Sequence, residues 1–153
     1  MITIAVIGES TCKENIYSIA EELGRGIAAK GWTTLTGGLG GVMEAACKGA
    51  KQAGGLTVGI LPGFSKTDAN QFIDIPIVTA MSHARNAIIA NTADVLVAVS
   101  GKYGTLSEIA IALKLGKPVI GIKTWDTIQG IVRVDSPEKA IEEILELSSK
   151  HFQ

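Results

Sequence analysis

Short runs that are apolar nearly throughout alternate along this chain with longer segments in which apolar residues recur every three or four positions. The runs Ile2–Ile7, Thr33–Thr36, Thr57–Leu61, Ile75–Val78, Val95–Val99, Val119–Ile122 and Ile131–Val134 read as strands. Several lack the in–out alternation of a half-exposed strand, which is the pattern of strands buried on both faces of a parallel sheet.

The segments between them have helical period. In the first, Ile16, Ile19, Ala20, Leu23 and Ile27 share one face, with Thr11 and Glu14 offering a capping box before it and Gly31 a stop after it. Gly41 to Ala53 predicts a second helix, rich in Ala and Gly and able to approach the sheet closely. A third starts near Ser82 and ends before Asp94. A fourth carries Leu106, Ile109, Ala110 and Leu113 and stops at Gly116-Lys117-Pro118. The last begins at Ser136-Pro137, with Ser as cap and Pro in the first helical position. Alternating β and α units with right-handed crossovers predict a Rossmann-like, doubly wound, mainly parallel α/β sheet with helices on both faces. Residues 1–153 are read as a single domain without linker, repeat or low-complexity segment. The strand order is not legible in the residues.

Composition narrows the function. Hydrophobic residues make up 46% and charged residues 19%, a globular balance. The 14 Lys and Arg stand against 15 Asp and Glu, for a net charge of −1, and no basic run occurs. Nucleic-acid binding needs a positive footprint, so a DNA-processing module on this general fold is disfavoured. Cys12 and Cys47 have neither metal-ligand spacing nor a histidine cluster, so no metal site and no disulfide scaffold is expected. The chain opens directly into a strand without a signal-like leader, and no apolar stretch nears the ~20 residues that span a bilayer. A cytoplasmic protein without membrane contact is expected.

Of the 18 glycines, Gly8, Gly37, Gly38, Gly40, Gly41, Gly101 and Gly104 stand where strands end. In doubly wound sheets, ligands bind beyond the carboxyl ends of the strands, at helix N-termini. Those ends carry Gly8-Glu9-Ser10-Thr11, Thr36-Gly37-Gly38-Leu39-Gly40-Gly41, then Met81, Ser82, His83 and Arg85, and finally Ser100-Gly101-Lys102-Tyr103-Gly104-Thr105. Glycine lets backbone N–H groups approach an anion, and a helix N-terminus adds a positive dipole. Gly101 to Thr105 therefore reads as a phosphate cradle, although the same glycines also suit a tight turn. Neither the P-loop pattern nor the dinucleotide fingerprint occurs.

Thr105-Leu106-Ser107-Glu108 has capping-box spacing, so Glu108 either closes a helix start or presents an ionised carboxylate beyond the cradle. Arg85 sits in the first turn of its helix, where a cation opposes the dipole, and aligns with apolar Ile88 and Ile89. That placement calls for an anionic partner, either Glu108 or a ligand phosphate. His83 could serve as a base, but a lone histidine at a helix start is more often incidental.

Together Gly37-Gly38-Leu39-Gly40-Gly41-Val42-Met43-Glu44-Ala45, Arg85-Asn86 and Gly104-Thr105-Leu106-Ser107-Glu108 resemble the LOG-like superfamily, once broadly labelled as lysine decarboxylases. The resemblance runs from Ile2 to Ile122 and is strongest to the short branch of molybdenum cofactor carrier proteins. It implies a Rossmann-like homodimer or homotetramer that needs no cofactor for itself. It implies a phosphorylated ligand, a nucleotide or molybdenum cofactor, held by Gly8, Ser10, Gly37, Gly38, Gly40, Gly41, Val42, Met43, Ser100, Gly101, Lys102, Gly104 and Thr105. In the LOG enzymes, which hydrolyse the N-glycosidic bond of nucleoside 5'-monophosphates, Arg85 and Glu108 match catalytic positions. The chain departs from the enzymes' PGGxGTxxE at Ser100-Gly101-Lys102, and from their Arg-Lys pair at Arg85-Asn86. The expectation is thus a carrier or sensor of a phosphorylated nucleotide-like or pterin-type molecule, with phosphoribohydrolase as the alternative. Nothing supports the decarboxylase label.

Overall fold

The computed structural model describes residues 1–151. Strands β1 (Thr3–Ile7), β2 (Thr33–Thr36), β3 (Thr57–Leu61), β4 (Ile75–Val78), β5 (Val95–Val99), β6 (Val119–Ile122) and β7 (Ile131–Val134) form one sheet ordered β4-β3-β2-β1-β5-β6-β7. Every pairing in it is parallel. Helices α1 (Glu14–Ala29), α2 (Val42–Gln52), α3 (Arg85–Thr92), α4 (Tyr103–Lys114) and α5 (Pro137–His151) complete the Rossmann-like fold.

The uniformly apolar strands have a simple cause. On β1, Ile4 and Val6 pack into the layer of α1, α2 and α5, among Leu23, Ile27, Ala45 and Ile144. Ala5 and Ile7 point the other way, into the layer of α3 and α4, among Ile89, Ile109 and Ala112. Both faces of the central strands are buried, so both sets of alternating positions on β1 and β5 are apolar, while β2 buries Thr33, Thr34 and Thr36. Each fully buried Ile or Leu contributes about 1.5–3 kcal/mol relative to exposure.

Helix α2 approaches the sheet, as its small residues suggest, but its tightest contact is with α1. A side chain at Gly24 would collide with the Ala46 carbonyl oxygen, and one at Gly49 with that of Glu21. Backbone thus lies against backbone at two places along one helix pair.

The Thr11–Glu14 capping box does not form. Helix α1 follows Lys13, whose carbonyl accepts from Tyr17 N at 3.0 Å, and no side chain caps it. The preceding loop is engaged elsewhere, since Glu9 O accepts from Val42 N at 3.0 Å. Gly31 does end the helix, at φ +73°. Ser136 Oγ accepts from Lys139 N at 3.3 Å at the start of α5, as its sequence predicts. No helix among the described residues is long and apolar enough to cross a membrane.

Candidate functional site

The chain winds outward from β1 through β2 and β3 to β4, then returns to place β5 on the other side of β1. The β1–β5 junction is therefore the switch point of the sheet, where diverging connections leave a crevice. Two of the glycine-bearing segments meet there: Gly8–Thr11 after β1 and Ser100–Thr105 after β5.

The second segment owes its shape to Ser100, at φ +53°, and Gly101, at φ +100°. A side chain at Gly101 would also strike Thr105 Cβ at 2.5 Å, so only glycine suits this turn. The loop is braced from behind. Thr124 Oγ1 donates to Ser100 O at 2.6 Å, and Trp125 Nε1 to Lys102 O at 3.1 Å. Helix α4 then starts at Tyr103, earlier than a Thr105 cap would allow, and its first full bond runs from Leu106 N to Lys102 O at 2.9 Å. The Thr105–Glu108 capping box is thus not what the chain builds. No side chain among the described residues caps α4. Its first N–H groups, at Tyr103, Gly104 and Thr105, emerge without intrahelical partners at the positive end of the dipole.

A cleft of about 250 Å³ opens at this point, lined by Gly8, Glu9, Ser10, Thr11, Leu39, Met43, His83, Arg85, Lys102, Gly104 and Thr105. Thr105 is buried (3% exposed), and its hydroxyl has no hydrogen-bond partner among the described residues. Lys102 Nζ reaches Glu9 Oε1 at 3.5 Å.

The other candidate binding residues lie outside this lining. A side chain at Gly37 would meet Arg85 Nη2 at 2.6 Å and Met43 Sδ at 2.8 Å, and one at Gly41 would meet Ser10 C at 2.6 Å. Gly40 likewise abuts Ser10 O, Gly38 abuts Leu61, and Val42 is fully buried beneath Gly8. The Gly37–Gly41 segment is a packing platform that lets the β1 loop and Arg85 come close, while Ser100 and Gly101 shape the turn behind Thr105. Sequence reading passed over Glu9, Thr11, Leu39 and His83 as lining residues, although Glu9, Thr11 and Leu39 sit inside segments it singled out. It also passed over Asn70, whose side-chain amide donates to Leu39 O at 2.9 Å and Gly38 O at 3.3 Å and holds the platform's shape. No local signal marks such a long-range contact.

Arg85 is buried (8% exposed) with every arm of its guanidinium engaged. Nε donates to Ile60 O at 2.9 Å, Nη2 to Gly37 O at 3.4 Å, and Nη1 to Asn86 Oδ1. Asn86 Nδ2 donates in turn to Ser107 Oγ at 3.0 Å, and Ser107 Oγ to Gly104 O at 2.6 Å. A chain of hydrogen bonds thus ties Arg85 to the start of α4, and Asn86 is the link.

Glu108, one turn into α4, is buried (6% exposed) and accepts no hydrogen bond among the described residues. Burial pushes its carboxyl up to about 8 against the pull of Arg85, and burial lowers the guanidinium of Arg85 against the pull of Glu108. The helix dipole does not keep this carboxyl in the ionised form the sequence suggested, because desolvation outweighs it. At neutral pH it is largely protonated.

The family model described as the SLOG cluster4 family matches residues 1–150. The chain belongs to the SLOG cluster4 family. A cytokinin riboside 5'-monophosphate phosphoribohydrolase of Mycobacterium tuberculosis is 31% identical over 140 residues, covering 84% of this chain and 74% of that protein. The molybdenum cofactor binding protein of Rippkaea orientalis superposes with a TM-score of 0.87 at 39% identity, over 95% of each chain. The molybdenum cofactor carrier protein of Chlamydomonas reinhardtii gives 0.88 at 38% identity, over 97% of this chain and 99% of that one. The resemblance carried by the Gly37–Ala45, Arg85-Asn86 and Gly104–Glu108 motifs therefore holds on both sides, LOG-like and carrier-like, with nearly full-length likeness to the carriers.

Proposed function

We propose that this chain binds a phosphorylated, nucleotide-like or pterin-type small molecule at the switch-point cleft and holds it as a carrier or sensor. The observation that carries the reading is the uncapped start of α4, with the unpartnered Thr105 hydroxyl beside it and Lys102 at its edge. Backbone N–H groups, a hydroxyl and a lysine converging on one cleft are the donor set of a phosphate site. In this reading Gly104 and Thr105 take the phosphate oxygens and Lys102 leaves Glu9 to pair with them. The bound molecule, molybdenum cofactor or a nucleotide, is cargo.

Two features support holding over turnover. Each nitrogen of the Arg85 guanidinium donates to a protein acceptor, and Glu108 is not among the residues that line the cleft. One observation favours the alternative, a nucleoside 5'-monophosphate phosphoribohydrolase: a carboxyl raised to about 8 is protonated at neutral pH and able to act as a general acid. Such an enzyme adds water across the N-glycosidic bond, releasing free base and ribose 5-phosphate. Incubation with AMP and chromatography for adenine separates the readings. No adenine above a protein-free control supports the carrier, whereas release abolished by Glu108→Gln establishes the enzyme.

Assembly into a homodimer or homotetramer belongs to the same proposal. At the sheet edge Ile75, Ile77 and Val78 of β4 are exposed, with Met81 and Phe64 on flanking loops. A parallel strand with uncovered apolar side chains is a surface that another subunit can bury.

A further inference from the structure

We propose that His83 binds the phosphate of the ligand in its imidazolium form and is a specificity-determining residue of the cleft, which therefore holds its ligand more tightly at mildly acidic pH. The inference rests on the phosphate-site reading above.

His83 lines the cleft with Arg85 and Lys102. The three cationic side chains differ in what they have left to give. Each nitrogen of the Arg85 guanidinium donates to a protein acceptor, and Lys102 pairs with Glu9 at 3.5 Å. The imidazole of His83 makes neither a hydrogen bond nor an ion pair among the described residues. Of the three, it is the one with no protein partner among the described residues.

Its position is also built. The chain leaving β4 passes through Ala80 at φ +54° and Ser82 at φ +52°, left-handed conformations that non-glycine residues adopt only when held there. Ala80 N donates to Gly63 O at 2.9 Å, Ser82 N to Pro62 O at 3.0 Å, and Met81 N to Thr79 Oγ1 at 3.2 Å. These bonds pin a 3₁₀ turn, Ser82–Ala84, that delivers His83 to the cleft just ahead of α3.

The charged residues that share the cleft lining with His83 are Glu9 from the β1 loop, Lys102 at the start of α4 and Arg85 on α3. An ordinary imidazole changes charge between pH 5 and 8, so pH is the variable that tests a histidine's cationic contact with a phosphate. By linkage, a bound anion raises the titration midpoint of the imidazole, and affinity falls tenfold for each unit of that rise once the pH exceeds it.

The chain has two histidines, His83 and His151, so the ring signals are assignable by comparison with His83→Gln. The experiment is a proton NMR titration of the imidazoles with and without AMP. Calorimetry of AMP, ribose 5-phosphate and inorganic phosphate at pH 6, 7 and 8 accompanies it. The expected result is an upward shift of the His83 midpoint with AMP and an affinity about tenfold weaker at pH 8 than at pH 6. His83→Gln should lose that fall and keep only the rise due to ionisation of the phosphate itself. Phosphate binding with an unmoved His83 titration and the same pH profile in His83→Gln overturns this inference and leaves the phosphate site standing. Absence of binding by all three probes at every pH overturns both.

Discussion

Arg85 and Glu108 lie buried together under the start of α4 and feel each other's charge, yet no ion pair joins them, because the guanidinium is turned to Ile60, Gly37 and Asn86. The arrangement leaves a largely buried carboxyl without a charged hydrogen-bond partner, and its raised pKa follows from that burial. The two residues that match the catalytic positions of the LOG enzymes in sequence are here a guanidinium bonded to protein acceptors and a carboxyl raised to about 8.

That relationship fixes a pH dependence. The folded Glu108 keeps its proton up to about 8, whereas an unfolded glutamate releases it near 4.5. Between those values the folded state binds more protons than the unfolded state, so stability from this group is fully present below pH 4.5 and is lost as pH rises through about 8. Glu108→Gln removes the titration. Urea unfolding at pH 5, 7 and 9 should show wild type losing stability relative to the glutamine variant with rising pH, by a few kcal/mol in total. Parallel curves for the two proteins would contradict the buried, protonated carboxyl.

Gly104 offers a way to perturb the cleft without perturbing the fold. A methyl group there meets nothing within 4 Å, and alanine suits a helical position better than glycine by about 0.5–1 kcal/mol. Gly104→Ala is expected to fold with unchanged or slightly higher stability while binding of AMP weakens at least tenfold, since the methyl occupies the space given to the phosphate. Circular dichroism melts and calorimetry on the same sample measure both.

Gly24 stands at the opposite extreme. Its Cβ would strike the Ala46 carbonyl across the α1–α2 contact, and backbone cannot step aside as a flexible side chain does. Gly24→Ala should cost about 1–3 kcal/mol or more, visible as a lower denaturation midpoint.

Much of this architecture was legible because both faces of the central strands are buried. Val95–Val99 is apolar at every position, since Val95, Val97 and Val99 feed one layer and Leu96 and Ala98 the other. Ser136-Pro137 marked the start of α5 because its cap is local. What stayed hidden was set by contacts between distant segments. The return of β5 to the side of β1 depends on pairing across the whole chain, and no residue announces it. Thr11 and Glu14 have the spacing of a capping box, but the loop before α1 is held by Val42 instead. The glycines at 37–41 let the neighbouring loop and Arg85 come close, a packing role that the sequence does not distinguish from anion binding, because glycine serves both. The start of α4 kept the cradle's chemistry, since an uncapped helix end and an unpartnered Thr105 lie together there.

The exposed β4 edge gives a separate expectation for assembly. Ile77 is 43% exposed beside Ile75. Ile77→Lys should shift light-scattering mass toward the monomer if this edge joins subunits, with the melting curve of the separated chain nearly unchanged. An identical mass for both proteins would move the contact elsewhere.

The central claim is that a phosphorylated small molecule sits at the start of α4. Native mass spectrometry of the gently purified protein, repeated after addition of AMP, tests it most directly. The expected spectrum shows one phosphorylated ligand per subunit, retained without breakdown in wild type and lost in the Lys102→Ala, Thr105→Val double variant. A bare polypeptide mass in both spectra, or a ligand bound equally well by the double variant, would contradict it.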